Sequence, residues 1–166
     1  MKKIITLLSI AGLFVLQSCT TSASFEIAPI ARNEVFEVTT SFNSNNNYGR
    51  LVTLNPPIYS SDVVLVYRLA GSNSQGDVWN PLPETFSFNN GALDFGYKFD
   101  YTNSDVDIYM IGNDLQSVTA EYRSNQVLRI VIVPASYAKT INKNSYSDVI
   151  TALNVKDSQI QKIALQ

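Results

Sequence analysis

ETFSFNNGALDFGYKFDY, residues 84–101, is the stretch that decides the fold. Asn90-Gly91 suits a two-residue type I′ turn, because both central positions of that turn need positive φ. A turn there fixes the register: Asn89 faces Ala92, Phe88 faces Leu93, and Phe86 faces Phe95. Opposed residues share one face of a sheet. Phe86, Phe88, Leu93 and Phe95 therefore make one apolar patch, which Tyr97, Phe99 and Tyr101 extend with period two. Ser87, Asp94, Lys98 and Asp100 fall on the other face. Turn chemistry and binary pattern thus agree on an antiparallel hairpin with one buried side.

Working outward, similar strand-length runs and breaks recur. Residues 34–42 (EVFEVTTSF) read as a strand, and residues 41–49, with Asn45-Asn46-Asn47, as a loop. Residues 50–54 form a short strand stopped by Asn55-Pro56-Pro57, since adjacent prolines cannot serve a central ladder. DVVLVYRL (62–69) is almost continuously apolar, the pattern of a central strand buried on both faces; QVLRIVIV (126–133) is a second of that type. Gly71 and Gly76 mark residues 70–77 as a turn, and Pro81 and Pro83 stiffen 78–83 into an extended segment. Residues 105–111 are another strand, closed by Gly112-Asn113. Residues 115–123 fit either a short helix or an edge strand, and 136–144 read as loop. Ser145 to Asp148 resembles a capping box with Asp in place of Glu, and Tyr146, Val149, Ile150 and Leu153 fall on one helical face. Residues 160–165 suggest a closing strand. About eight short strands and one short C-terminal helix predict an all-β antiparallel β-sandwich, in a single domain over residues 34–166.

The N-terminus carries a different signal. Lys2 and Lys3 precede an uncharged apolar run, residues 4–16, that is too short to span a bilayer comfortably. Leu16-Gln17-Ser18-Cys19 closes it in the manner of a bacterial lipobox, although Gln17 is not the commonest residue there. An ordinary secretory signal that leaves Cys19 as a free thiol is the competing reading; charge, length and cysteine position together favour the lipoprotein. On that reading residues 1–18 are a signal peptide and residues 19–33 a lipidated tether. Two or three acyl chains, palmitate-like in length, contribute about 0.8 kcal/mol per buried methylene, which holds a protein on a membrane without a transmembrane helix. Thr20, rather than Asp, follows Cys19. That points to the outer membrane, and the lack of an acidic run after Cys19 to its periplasmic side.

Composition closes several chemistries. The sequence has no histidine and a single cysteine, Cys19, which excludes His-dependent triads, the zinc-peptidase motif and a disulfide framework. A formal charge of −2 and the lack of any basic run exclude the usual nucleic-acid footprint. No cofactor motif is found.

Read together, the lipobox, EVFEVTTSFNSNNNY (34–48), SDVVLVYRL (61–69), DVWNPLPETF (77–86), FDYTNSDVDIYM (99–110) and NQVLRIVIVPA (125–135) resemble a family of lipoproteins from Bacteroidetes-type bacteria. Members often carry a collagen-like stub after the lipobox cysteine. Thr20-Thr21-Ser22-Ala23 has no Gly-x-y period, so no triple helix is implied here. The resemblance implies acylation at Cys19 and brings no activity and no functional residues to carry over.

Three constellations remain. Asp100, Asp105, Asp107 and Asp114, with Asn103, offer oxygen ligands for Ca²⁺, but the spacing is not that of an EF-hand and no Gly sits at the required turn, so solvated turn acids are the favoured reading. Trp79, with Tyr59, Tyr67, Tyr97, Tyr101 and Tyr109, offers a sugar-stacking platform, although most of these positions fall in strand cores, where rings simply pack. Trp79 itself is expected to be largely buried, between Val78 and two prolines. Arg68 and Arg129 each interrupt an apolar strand and need an acid on a neighbouring strand. The expectation is a non-enzymatic binding or structural lipoprotein with a membrane partner through Cys19 and a protein or glycan partner. The alternatives are a glycan-binding module and a carboxylate-dependent hydrolase.

Overall fold

Runs rich in valine, isoleucine and tyrosine, broken by Gly, Pro and Asn, form strands throughout the computed structural model, which describes residues 34–88 and 94–163. In chain order these are β1 (Glu34–Thr40), β2 (Gly49–Thr53), β3 (Val63–Asn73), β4 (Gly76–Pro81), β5 (Glu84–Phe86), β6 (Phe95–Tyr101), β7 (Asp105–Gly112), β8 (Gln126–Val133) and β9 (Gln161–Ile163). The helices are α1 (Ala120–Arg123), α2 (Ala135–Ala138) and α3 (Tyr146–Leu153). One sheet runs β4-β3-β8-β1-β9 and the other β2-β7-β6-β5. All pairings are antiparallel except β9, which lies parallel to β1. The all-β sandwich read from the sequence is the observed fold.

Period-two alternation assigns the faces. Phe36 and Val38 on β1, Val64 and Val66 on β3, and Leu128, Ile130 and Ile132 on β8 meet Phe95, Tyr97, Val106, Ile108 and Met110 of the second sheet to form the main core. The intervening residues Val35, Tyr67, Val131 and Val133 belong to a second core on the outer face of the five-stranded sheet. That outer face is covered by Val149 and Leu153 of α3, with Val155 behind them. This explains why β3 and β8 read as continuously apolar: each is buried on one side by a sheet and on the other by a helix. Each fully buried Val or Leu contributes about 1.5–3 kcal/mol, so removing the α3 face would expose the centre of the sheet.

α3 starts where its sequence says. The Ser145 hydroxyl accepts a hydrogen bond from the Asp148 amide at 3.3 Å, while the Asp148 carboxylate turns to the Asn142 amide group at 3.2 Å. Asn154 closes the helix in the left-handed conformation, φ 52°, which asparagine tolerates better than most residues.

The hairpin register holds: Phe86 faces Phe95 and Glu84 faces Tyr97. Residues 89–93, and with them the turn itself and Leu93, lie outside the described residues. Phe88 joins the expected apolar patch, its ring centroid 6.2 Å from that of Phe86 and 6.0 Å from that of Phe95, but it lies at the open edge of the patch. β5 ends at Phe86, and Phe88 beyond it is 60% exposed, its amide donating to Asp94 Oδ2 at 2.5 Å. The turn expected over residues 70–77 is also corrected. β3 continues to Asn73 and folds back through a two-residue turn, with Asn73 facing Gly76 and a bulge between Leu69 and Gly71. Gly71 and Gly76 have φ of 152° and 114°, which side-chain-bearing residues rarely adopt. The glycines therefore mark the bulge and the turn's exit, and do not mark a loop. Residues 78–83 are mostly edge strand β4, where Pro81 costs no central ladder bond. Of the two options for residues 115–123, the single-turn helix α1 is formed, and α2 occupies part of the expected 136–144 loop.

Candidate functional site

Arg129 organises the outer face of the five-stranded sheet. Its strand β8 places it directly opposite Glu37 on β1, as the sequence required of a charge inside an apolar strand. Its Nε donates to Glu37 Oε2 at 3.1 Å, and Nη2 lies 3.0 Å from the same oxygen in an ion pair. Nη1 donates to the Tyr146 hydroxyl and lies 3.7 Å from Asp157 Oδ1. Lys162 reaches the other Glu37 oxygen at 3.2 Å. The guanidinium lies 4.1 Å from the centroid of the Trp79 ring, and the Tyr146 ring packs 5.3 Å from that ring.

Trp79 is thus partly buried and packs against the second core, close to the largely buried position expected from the sequence but with part of its ring left open. The edge position of β4 accounts for this: Arg129 covers one face of the ring, while the remainder lines an open groove of about 590 Å³ together with Tyr146, Ile150 and Asp157. Of the tyrosines grouped with Trp79 in the sequence, only Tyr67 shares its neighbourhood, through Tyr146, whose ring lies 5.2 Å away. Tyr67 is fully buried and donates to the Lys143 carbonyl at 2.7 Å. Tyr97 is fully buried between the sheets and donates to the Tyr122 carbonyl. Tyr59 and Tyr101 are exposed elsewhere, and Tyr109 donates to Asp100 at 2.8 Å on the second sheet. The six rings form no shared platform. Burial pushes both Tyr67 and Tyr97 well above the usual phenol range, and Tyr146 rises too, burial outweighing the opposing pull of Arg129.

The four aspartates are also dispersed. Asp100 and Asp107 face each other across β6 and β7. Asp105 accepts from the Thr102 hydroxyl at 2.8 Å, and Asp114 accepts from the Ser117 amide at 3.3 Å. Asp114 lies past the far end of β7, about 25 Å from Asp105 by strand rise. Among the described residues no three acidic, histidine or cysteine side chains converge in a metal-binding arrangement.

Arg68 faces the other way, into one end of the sandwich. Its partner is not on a neighbouring strand of its own sheet but on β5 of the opposite sheet. Nε donates to Glu84 Oε2 at 2.7 Å and Nη2 to Oε1 at 3.1 Å, and Asn80 adds a bond to Oε1 at 2.7 Å. The guanidinium lies over Tyr97 and Phe86, 5.2 and 5.6 Å from their centroids. Burial pulls its pKa down, but the hydrogen bond and charge of Glu84 outweigh that, leaving it above the ordinary arginine value. The pair fastens the two sheets together.

Beside this pair lies a feature the sequence reading missed. Phe88, Phe95 and Tyr122 meet with centroids 5.1 to 6.0 Å apart and form the wall and floor of a groove of about 520 Å³. Asp94, Asp114 and Glu121 line it too. The groove joins the end of the hairpin to α1, so its rings come from segments some 30 residues apart. The one local signal was a phenylalanine alternation that runs on past the strand's end.

The fold and these sites define a two-sheet β-sandwich domain carrying a helix on one outer face and an aromatic groove at one end. No protein-family model, no curated protein and no solved structure matches the chain.

Proposed function

We propose that this chain is a lipid-anchored protein of the bacterial cell envelope, held by acylated Cys19, whose sandwich domain serves as a non-enzymatic binding or structural module on the periplasmic side of the outer membrane. The observation that carries the anchor is the cysteine placed directly after a short uncharged apolar run with a basic head. No helix among the described residues is long and apolar enough to cross a membrane.

For the domain, support comes from where its buried charges and phenols are engaged. Arg68 with Glu84 ties sheet to sheet, Arg129 with Glu37 and Tyr146 ties sheet to α3, and Tyr67 and Tyr97 each bond a backbone carbonyl. These groups hold elements together, which is a structural use. A glycan-binding reading draws on the partly open Trp79 ring, with Arg129 already on one face of it.

Fractionation of cells expressing the wild type and C19S tests the anchor. The wild type is expected in the membrane fraction and C19S in the soluble fraction; identical partitioning of the two would overturn it. Titration of Trp79 emission with glycans tests the second reading, for which a saturable shift with one glycan class is the required result.

A further inference from the structure

We propose that the groove between Phe88 and Tyr122 binds an organic ammonium ion, a cationic nitrogen carried on an apolar group. The inference rests on the domain being a binding module and does not depend on the anchor. Three observations converge. The first is Phe88, a phenylalanine left 60% exposed although its ring touches Phe95 and Tyr122, both of which pack into or against the main core. An aromatic held in place by its neighbours yet open on its other side is a preorganised contact surface, and aromatic faces attract cations. The second is charge. Asp94, Asp114 and Glu121 line the groove, and no lysine or arginine is among the described residues that line it; Arg123, close by, spends its Nε on the carbonyl of the lining residue Val118. Three carboxylates around an aromatic floor disfavour an anion and a neutral hydrocarbon alike, and favour a cation with an apolar body. The third is size: about 520 Å³ falls within the range of small-molecule sites and exceeds what a bare metal ion needs.

The other grooves lack this combination. In the Trp79 groove the cation is already supplied by Arg129, which is paired. The groove at the Arg68 end shares Glu121 and Tyr122 with this one, but there the carboxylate of Glu84 is taken up by Arg68. Asp94 also holds the Phe88 amide, so it shapes the groove as well as charging it. Glu121 projects from α1 with its side chain exposed, which makes it the carboxylate best placed to meet a ligand at no cost to the fold.

The test is an NMR titration of the full-length protein that follows the ring resonances of Phe88 and Tyr122, with Trp79 as the internal control in a separate groove. The probes are choline and its neutral isostere 3,3-dimethylbutan-1-ol, and a blocked Gly-Lys-Gly peptide with its N-acetyl-lysine counterpart. Saturable shifts with choline or the lysine peptide, at least tenfold weaker for the matching uncharged probe, are expected; which of the two cations binds tells a free amine from a peptide-borne one. F88A and E121Q, both at exposed positions, should each weaken binding about tenfold, roughly the loss of one charge or ring contact. Neutral and cationic probes behaving alike, no saturable shift with either cation, or full affinity retained in both variants would overturn the proposal. Such a failure would leave the C19S fractionation result untouched.

Discussion

Replacing Glu84 with alanine removes the carboxylate that joins the two sheets to Arg68. The side chains of the pair are 8% and 13% exposed, and the two parallel bonds of 2.7 and 3.1 Å leave little room for water between them. In E84A the guanidinium stays enclosed by Phe86 and Tyr97, with only the Leu69 carbonyl at 3.2 Å and Gln126 Oε1 at 3.4 Å to bond. Breaking a buried pair from one side costs about 3–5 kcal/mol, because the remaining charge is neither solvated nor neutralised. A domain of this kind has about 5–15 kcal/mol in all, so about a fifth or more of its stability is at stake. Urea unfolding followed by the emission of the single tryptophan should show the midpoint falling by roughly 2 M, at a slope near 2 kcal/mol/M. The double variant R68M/E84L removes both charges and fills the same space with apolar atoms, so it should recover to within about 1–2 kcal/mol of the wild type. If E84A lies within 1 kcal/mol of the wild type, or the double variant is as unstable as the two single changes combined, the pair is not the buried cross-link described above.

Further expectations rest on the hairpin and the buried phenols. Phe95→Asp loses a core side chain 2% exposed and buries a charge, so it should cost several kcal/mol, whereas Lys98→Asp on the exposed face should stay within about 0.5–1 kcal/mol; equal midpoints in denaturant would reject the face assignment. Gly96→Ala would place a Cβ 2.6 Å from the Glu84 carbonyl and 3.2 Å from Thr85 Cγ2, so β5 must move away, at about 1–3 kcal/mol; an unchanged melting temperature would mean that the two strands lie further apart. Tyr67 and Tyr97 have pKa values raised in the fold above the unfolded value near 10. Their contribution is therefore fully present below pH 10 and lost as pH rises above it, by about 1.4 kcal/mol per pH unit for each. Melting temperatures should fall steeply between pH 10 and 11.5, with phenolate absorbance appearing on unfolding; a flat profile to pH 11.5 would contradict their burial.

What was legible in the sequence was what neighbours in sequence determine. Reading Asn90-Gly91 as a two-residue turn, which leaves no freedom of register, predicts the pairing of Phe86 with Phe95, and that pairing is observed. The doubly apolar runs of β3 and β8 announced burial on both faces, and the stripe from Tyr146 to Leu153 announced a helix; that the helix is what covers the second face depends on tertiary packing. The β3–β4 hairpin was hidden because Gly71 and Gly76, which normally punctuate loops, here serve a bulge and a turn exit. The partner of Arg129 sits on the adjacent strand, as charge pairing demands, but Arg68 finds its own across the sandwich in Glu84, and no local pattern encodes a contact between sheets. The Phe88 groove was invisible for the same reason: its second wall, Tyr122, comes from a segment whose periodicity left helix and strand unresolved.

The measurement that bears most directly on the central claim is the mass of the N-terminal peptide of protein purified from native membranes. A chain that begins at Cys19 and carries a thioether-linked diacylglycerol with an additional N-linked acyl chain is the predicted result. A chain that retains any of residues 1–18, or one that begins elsewhere with an unmodified Cys19 thiol, would contradict it.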